Sequence, residues 1–286
     1  MTTKPVKLVE CPRDAMQGWP HQIPTDTKIA YINELLKVGF DCIDFGSFVS
    51  PKAIPQMADT VQVLKGLDLS HTKSKLLAIV ANLRGATESV LFDEISYLGF
   101  PFSISETFQM RNTNASIATS VDTVSEIHNL CLKNRKELVV YISMGFGNPY
   151  GDEYNEEIVM HWVQKMVDMD INIISLADTV GLAKPEQVAS VLNKVLPAFP
   201  GTEIGVHLHS APHNRLEKLD AALLAGCKRF DAAVKGIGGC PMAGDDLVGN
   251  MDTEVMNNYF ISKGIKTGID IEQLLNCSLV ASKVFV

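Results

Sequence analysis

The chain predicts a (β/α)8 TIM barrel, read as one domain over residues 1–286, on three observations. Short apolar runs alternate eight times with longer stretches that have apolar residues at helical spacing. Those runs are apolar almost throughout, which marks parallel strands covered on both faces rather than half-exposed ones. Eight such units in 286 residues suit a closed barrel. No Gly-x-Gly-x-x-Gly follows the first run, which counts against an open dinucleotide-binding sheet.

The first strand is expected over 7–11, followed by helical spacing over 26–38. The second spans 41–48, the third 76–80, and the fourth 101–105, opened by Pro101. The fifth covers 138–143, the sixth 172–176, the seventh 203–209 and the eighth 230–234. No stretch rich in proline, glycine or serine divides the chain, so no domain boundary is expected.

Composition narrows the function. A net charge of −8 disfavours nucleic acid as a partner, because phosphates need a basic face. No apolar run approaches the ~18 residues that cross a bilayer, so no membrane partner is expected. The first residues lack the apolar core of a signal peptide, and the expected compartment is the cytoplasm. Six cysteines without paired spacing fit reduced, mostly buried thiols there.

A barrel of this kind places its chemistry at the C-terminal ends of its strands. Cys11-Pro12-Arg13-Asp14 closes the first strand and sets a guanidinium fork beside a hard oxygen ligand. His207 and His209 end the seventh strand; two apart, they share one face and can share one divalent metal. After the eighth strand come a glycine-rich loop, Gly236-Ile237-Gly238-Gly239-Cys240-Pro241, and Asn250. Asp14, His207, His209 and Asn250 offer two nitrogens and two oxygens, a set suited to six-coordinate Mg2+ or Mn2+ acting on a chelating hydroxy-carbonyl substrate. Cys240, on a loop able to approach a ligand closely, is a candidate for moving a proton. Asp44, in the second strand, either orients Arg13 or caps a helix. Asp178 and Thr179, at the end of the sixth, either bind substrate or cap the next helix.

These residues resemble those of the DRE-TIM metallolyases, and among them the 3-hydroxy-3-methylglutaryl-CoA lyase family. Four stretches carry the resemblance, which runs from Val6 to about Leu275. They are Glu10 to Asp14 with Gln17, Ser47 to Lys52 continuing through Pro55-Gln56-Met57, His207-Leu208-His209, and Gly238-Gly239-Cys240-Pro241 with Gly249-Asn250. The resemblance implies retro-Claisen cleavage of 3-hydroxy-3-methylglutaryl-CoA, an acyl-CoA substrate, into acetyl-CoA and acetoacetate, commonly in leucine breakdown. It implies metal ligation by Asp14, His207, His209 and Asn250, enolate stabilisation by Arg13, and work on the C3 hydroxyl proton by Cys240. It also implies a proton shuttle at His207 and contact of Asp44 with the arginine. A homodimer is expected, since such barrels often pair through their helices.

The chain departs from the family pattern in four places. Ala15 stands where a glycine usually follows the aspartate, Asp44 replaces a glutamate, Ser210-Ala211 replaces Asp-Thr, and Asn148 replaces a cysteine. These departures leave a related branched 3-hydroxyacyl-CoA open as substrate. The alternatives are a DRE-TIM aldolase or Claisen condensation enzyme on another hydroxy or oxo acid, and a barrel that binds CoA esters without turnover.

Overall fold

Each apolar run hydrogen-bonds to the next in chain order, and the eighth returns to the first, closing a barrel of parallel strands. The computed structural model describes residues 6–239 and 248–286. The strands are β1 (Lys7–Glu10), β2 (Cys42–Ser47), β3 (Lys75–Ile79), β4 (Ile95–Ser103), β5 (Glu137–Ser143), β6 (Ile173–Asp178), β7 (Glu203–Leu208) and β8 (Arg229–Ala232). Around them run α1 (Pro12–Gln17), α2 (Thr25–Val38), α3 (Thr60–Lys65), α4 (Leu83–Ser89), α5 (Glu106–Thr113) and α6 (Ile117–Lys133). The series continues with α7 (Glu156–Val167), α8 (Pro185–Ala198), α9 (Arg215–Leu224), α10 (Thr253–Ser262) and α11 (Ile271–Val284).

Helix starts follow local chemistry. Asn82, Ser105, Ser116, Asn155, Asp252 and Asp270 each accept a backbone N–H from the first turn of the helix they precede. Helix α2 stops at Gly39, whose φ of 94° a side chain would resist. No helix among the described residues is long and apolar enough to cross a membrane.

The fourth strand differs from the expectation. It begins at Ile95, and Pro101 lies inside it. Its pairing with β3 ends at Ile79↔Gly99, while pairing with β5 continues to Ser103↔Ser143. The Gly99 carbonyl bonds toward the β3 side, so the residue two further on faces that way too, past the last β3 partner. The missing N–H of Pro101 therefore costs no ladder bond.

Alternation along the strands makes two cores. The larger lies between strands and helices. The smaller fills the barrel interior with Val9, Cys11, Cys42, Leu77, Ile79, Val139, Tyr141 and Ile173. Gly205 belongs to the interior layer: a Cβ there would stand 2.7 Å from Cγ of Arg229, so the glycine makes room for that side chain. Glu10, at the end of β1, is fully buried; it accepts Val234 N–H at 2.8 Å and the Thr253 hydroxyl at 2.6 Å. Burial pushes its pKa up to about 8.

Candidate active site

Cys11 leaves β1, and Pro12 at the first helical position starts α1, turning the chain back over the barrel mouth. Arg13 and Asp14 thus sit in a first helical turn rather than an open loop. Ala15 lies inside that helix and has no positive φ, so the family's glycine is not needed there. Gln17 completes the turn: its amide donates to Asp14 Oδ1 at 2.8 Å, and its Oε1 accepts from Arg13 Nη1 at 2.8 Å.

Asp44 faces Arg13 and settles the choice left open above. Nε of Arg13 donates to both Asp44 oxygens, at 3.2 and 3.0 Å, and Nη2 to Oδ2 at 2.5 Å. The second Nη1 hydrogen meets Asp14 Oδ1 at 3.2 Å. Among the described residues these contacts occupy four of the five guanidinium N–H groups and leave one on Nη2 without a partner. Burial raises the Asp44 pKa to about 6 against the opposing pull of Arg13.

His207 and His209 leave the end of β7 with their Nε2 atoms 3.3 Å apart. Asp14 joins them in a possible metal-binding group, its ligand atom within 4.8 Å of theirs. Asn250 bridges to His209 through the backbone, and its Nδ2 donates to Asp14 Oδ2 at 2.7 Å and to the Ile237 carbonyl at 2.9 Å. Both amide hydrogens are used, so Oδ1 is the atom of this side chain that could ligate a cation. Burial and the neighbouring His207 lower the His209 pKa to about 4, leaving the ring neutral, the form that ligates. Burial opposes the charge on Asp14, but Arg13, the two histidines and Asn250 outweigh it and hold its pKa below the usual carboxylate value. Burial opposes a proton on His207, but its hydrogen bond to Asp231 and the charges of Asp231 and Asp14 outweigh burial and raise its pKa, so a cation would displace a proton there. One carboxylate, two imidazoles and an amide oxygen are a donor set that could hold a divalent cation.

The cavity above this cluster measures about 290 Å3, lined by Arg13, Asp14, His207 and His209 on one side and by Val49, Ile79 and Phe108 on another. Thr179 also lines it, with its hydroxyl accepting Met144 N–H at 2.9 Å. Asp178 does not take part: it accepts Ala183 N–H at 3.0 Å and pairs with buried Lys218 at 2.7 Å. Lys218 also donates to the carbonyl oxygen of His209 at 2.9 Å, which ties the ends of β6 and β7 together.

A model of the HMGL-like family matches residues 6–280. The chain belongs to the HMGL-like family. Among the curated proteins, the HMGL-like chain is 34% identical over 267 residues to a hydroxymethylglutaryl-CoA lyase of Bacillus subtilis, covering 93% of this chain and 88% of that one. It is 32% identical to a rat lyase named 3-hydroxy-3-methylglutaryl-CoA lyase, cytoplasmic, over 94% of this chain and 78% of the relative. Among solved structures, an HMG-CoA lyase from Acinetobacter baumannii in complex with coenzyme A and 3-methylmalate superposes with a TM-score of 0.92. That structure is 33% identical, and the match covers 100% of this chain and 93% of it.

The fold of this HMGL-like chain gathers Arg13, Asp14, Asp44, His207, His209 and Asn250 at one barrel mouth. Cys240 lies outside the described residues. Two neighbours escaped the reading of the sequence. Gln17 lies one helical turn from Asp14, a spacing that is the signal for placing it in the site. Asp231 was hidden in an apolar strand; its signal is a carboxylate two residues after Arg229 in a strand buried on both faces.

Proposed function

We propose that the protein is a divalent-metal-dependent carbon–carbon lyase that cleaves 3-hydroxy-3-methylglutaryl-CoA, or a close 3-hydroxyacyl-CoA, into acetyl-CoA and a 3-oxo acid, acetoacetate for the parent substrate. One observation carries this reading. A guanidinium with a free N–H and a donor set of two histidines, one aspartate and one asparagine converge on one partly apolar cavity.

Asp14, His207, His209 and Asn250 would hold Mg2+ or Mn2+, which supplies Lewis acidity toward the substrate's oxygens. The C3 hydroxyl loses its proton to the Cys240 thiolate, C3 becomes a ketone, and the C2–C3 bond breaks with its electrons passing into the thioester. The negative charge gathers on the thioester oxygen, where the remaining Nη2–H of Arg13 meets it. Asp44 keeps Arg13 in place with its face toward the cavity. The Cys240 thiol formed in this step returns the proton to C2, which gives acetyl-CoA. The Val49, Ile79 and Phe108 wall suits the apolar part of the acyl chain.

The whole chain, 1–286, acts as one catalytic domain in this reading. Two copies pair as a homodimer, which the exposed residues Ile271, Leu275 and Leu279, spaced four apart on α11, support. The cytoplasm is its compartment, in keeping with cysteines that lack paired spacing.

The test is a coupled assay for acetyl-CoA release from 3-hydroxy-3-methylglutaryl-CoA with Mg2+, with Mn2+ and after chelation. Release that stops on chelation and returns with metal supports the proposal. Folded protein that releases none from this ester or from branched 3-hydroxyacyl-CoA relatives overturns it.

A further inference from the structure

Behind His207 the barrel interior changes character. On most strands the inner layer is apolar, but β7 and β8 present Gly205, His207, Arg229 and Asp231. Asp231 is 3% exposed, and its Oδ2 lies 3.3 Å from Nδ1 of His207. The Ser175 hydroxyl reaches the same oxygen at 3.4 Å. Asp231 Oδ1, Tyr141 Oη and the Nε and Nη2 atoms of Arg229 are all buried without a partner among the described residues. Tyr141 stands edge-on to the His207 ring, with centroids 5.9 Å apart, and Arg229 shares the inner face of β8 with Asp231, two residues away. Buried polar atoms in such a cluster are ordinarily joined by enclosed water.

The two ring nitrogens of His207 therefore have different neighbours: Nε2 faces His209 and the metal-binding group, while Nδ1 faces Asp231. A carboxylate only accepts hydrogen bonds, so it selects the tautomer with the proton on Nδ1 and leaves the lone pair on Nε2. The Cys11 thiol also lies within 4.8 Å of ligand atoms of His207 and Asp231, but it turns to the Val9 carbonyl and does not compete for that nitrogen.

We propose that Asp231 is a positioning residue that fixes the tautomer and ring orientation of His207, with Arg229 anchoring the far oxygen of the carboxylate through enclosed water. The inference rests on the proposed role of His207 as a ligand, and it assigns to the closed end of the barrel a part in shaping the open end. It also accounts for Gly205, which admits the Arg229 side chain to the interior.

Asp231→Asn separates this role from simple filling of space. The donors of Arg229 hold the amide oxygen on their side, so the amide NH2 turns to Nδ1 and drives the proton to Nε2, the nitrogen needed for the metal. Two measurements on the full chain test this. The first is imidazole nitrogen NMR of the metal-free wild type, with His207 assigned by its loss in His207→Gln. The expected result, at a pH high enough for the ring to be neutral, is a proton on Nδ1; a neutral ring with its proton on Nε2 overturns the proposal even if no Asp231 variant folds. The second is Mn2+ titration of wild type and Asp231→Asn, with a loss of affinity of about 10–100-fold expected, the range for removing an outer partner of a ligating histidine. A folded Asp231→Asn variant with wild-type affinity and the proton still on Nδ1 also overturns it. Failure of the wild type to bind Mn2+ would sink the metal reading, and the tautomer measurement would still decide this one.

Discussion

Nε2 of His207 and Nε2 of His209 stand 3.3 Å apart at the mouth of the barrel, each ring turned to a different support. His207 leans on Asp231, and His209 hydrogen-bonds the Val248 backbone. Neither imidazole nitrogen of the facing pair gains from the other without a shared proton or cation between them. The expected outcome of His209→Ala is a fall in Mn2+ affinity greater than the ~10–100-fold typical of an outer-shell loss. For the wild type, Mn2+ at about 100 times its Kd should add about 2.7 kcal/mol of stability, read as a rise in Tm. Titration calorimetry and thermal melts check both; an unchanged affinity removes His209 from the ligand set.

Arg13→Met should lower turnover by about 10²–10³-fold or more, the range for losing one donor to a developing oxyanion. It should also destabilise the protein by about 3–5 kcal/mol, because Asp44 is left buried without its partner. The double variant Arg13→Met/Asp44→Asn should recover much of that stability and none of the turnover. Denaturant titration beside steady-state kinetics tells the two effects apart, and recovery of turnover in the double variant would contradict the role given to Arg13.

Gly238 sits at φ +109°, and a Cβ there would stand 2.6 Å from Asn250 Nδ2 and 3.0 Å from the Asp14 carbonyl oxygen. Gly238→Ala should push on two proposed ligands at once and weaken Mn2+ binding. Gly264→Ala is the control: its φ is also positive, at +72°, but nothing lies within 4 Å of its Cβ. Equal Mn2+ affinities in the two variants would show that the strain at Gly238 does not reach the site.

Glu10 links pH to stability. Burial raises its folded pKa from the ordinary 4.5 to about 8, so between those values the folded state keeps a proton that the unfolded state has released. Its contribution is complete below about pH 4.5 and is lost as pH rises through about 8. Glu10→Gln keeps an acceptor for Val234 N–H and has no proton to lose. The stability of wild type relative to Glu10→Gln should therefore fall from pH 5 to pH 8, measured by denaturant midpoints. A constant difference across that range would rule out the buried protonated acid.

The barrel was legible because parallel strands covered on both faces must be apolar along their length, and β2, β5 and β6 are buried throughout or nearly so. The start of β4 was not, because Pro101 reads as a strand terminus until the β3 partner is seen to have ended. Asp44 and Asp178 had two readings each in the sequence. Contacts with Arg13 and Lys218, 31 and 40 residues away, decided between them.

By itself the sequence determined eight strands, their order of alternation with helices, the positions of Arg13, Asp14, His207 and His209 at strand ends, and that of Asn250 beyond the eighth strand. Those are local properties, set by periodicity and by which residue follows an apolar run. Only the tertiary structure decided which of these side chains meet. Asn250 and Asp14 are 236 residues apart, and they touch at 2.7 Å because β8 closes onto β1. The pairing of Asp231 with His207 likewise depends on two neighbouring strands presenting their inner faces in register, His207↔Asp231. Register and closure are relations between distant segments, and no window of sequence contains both partners.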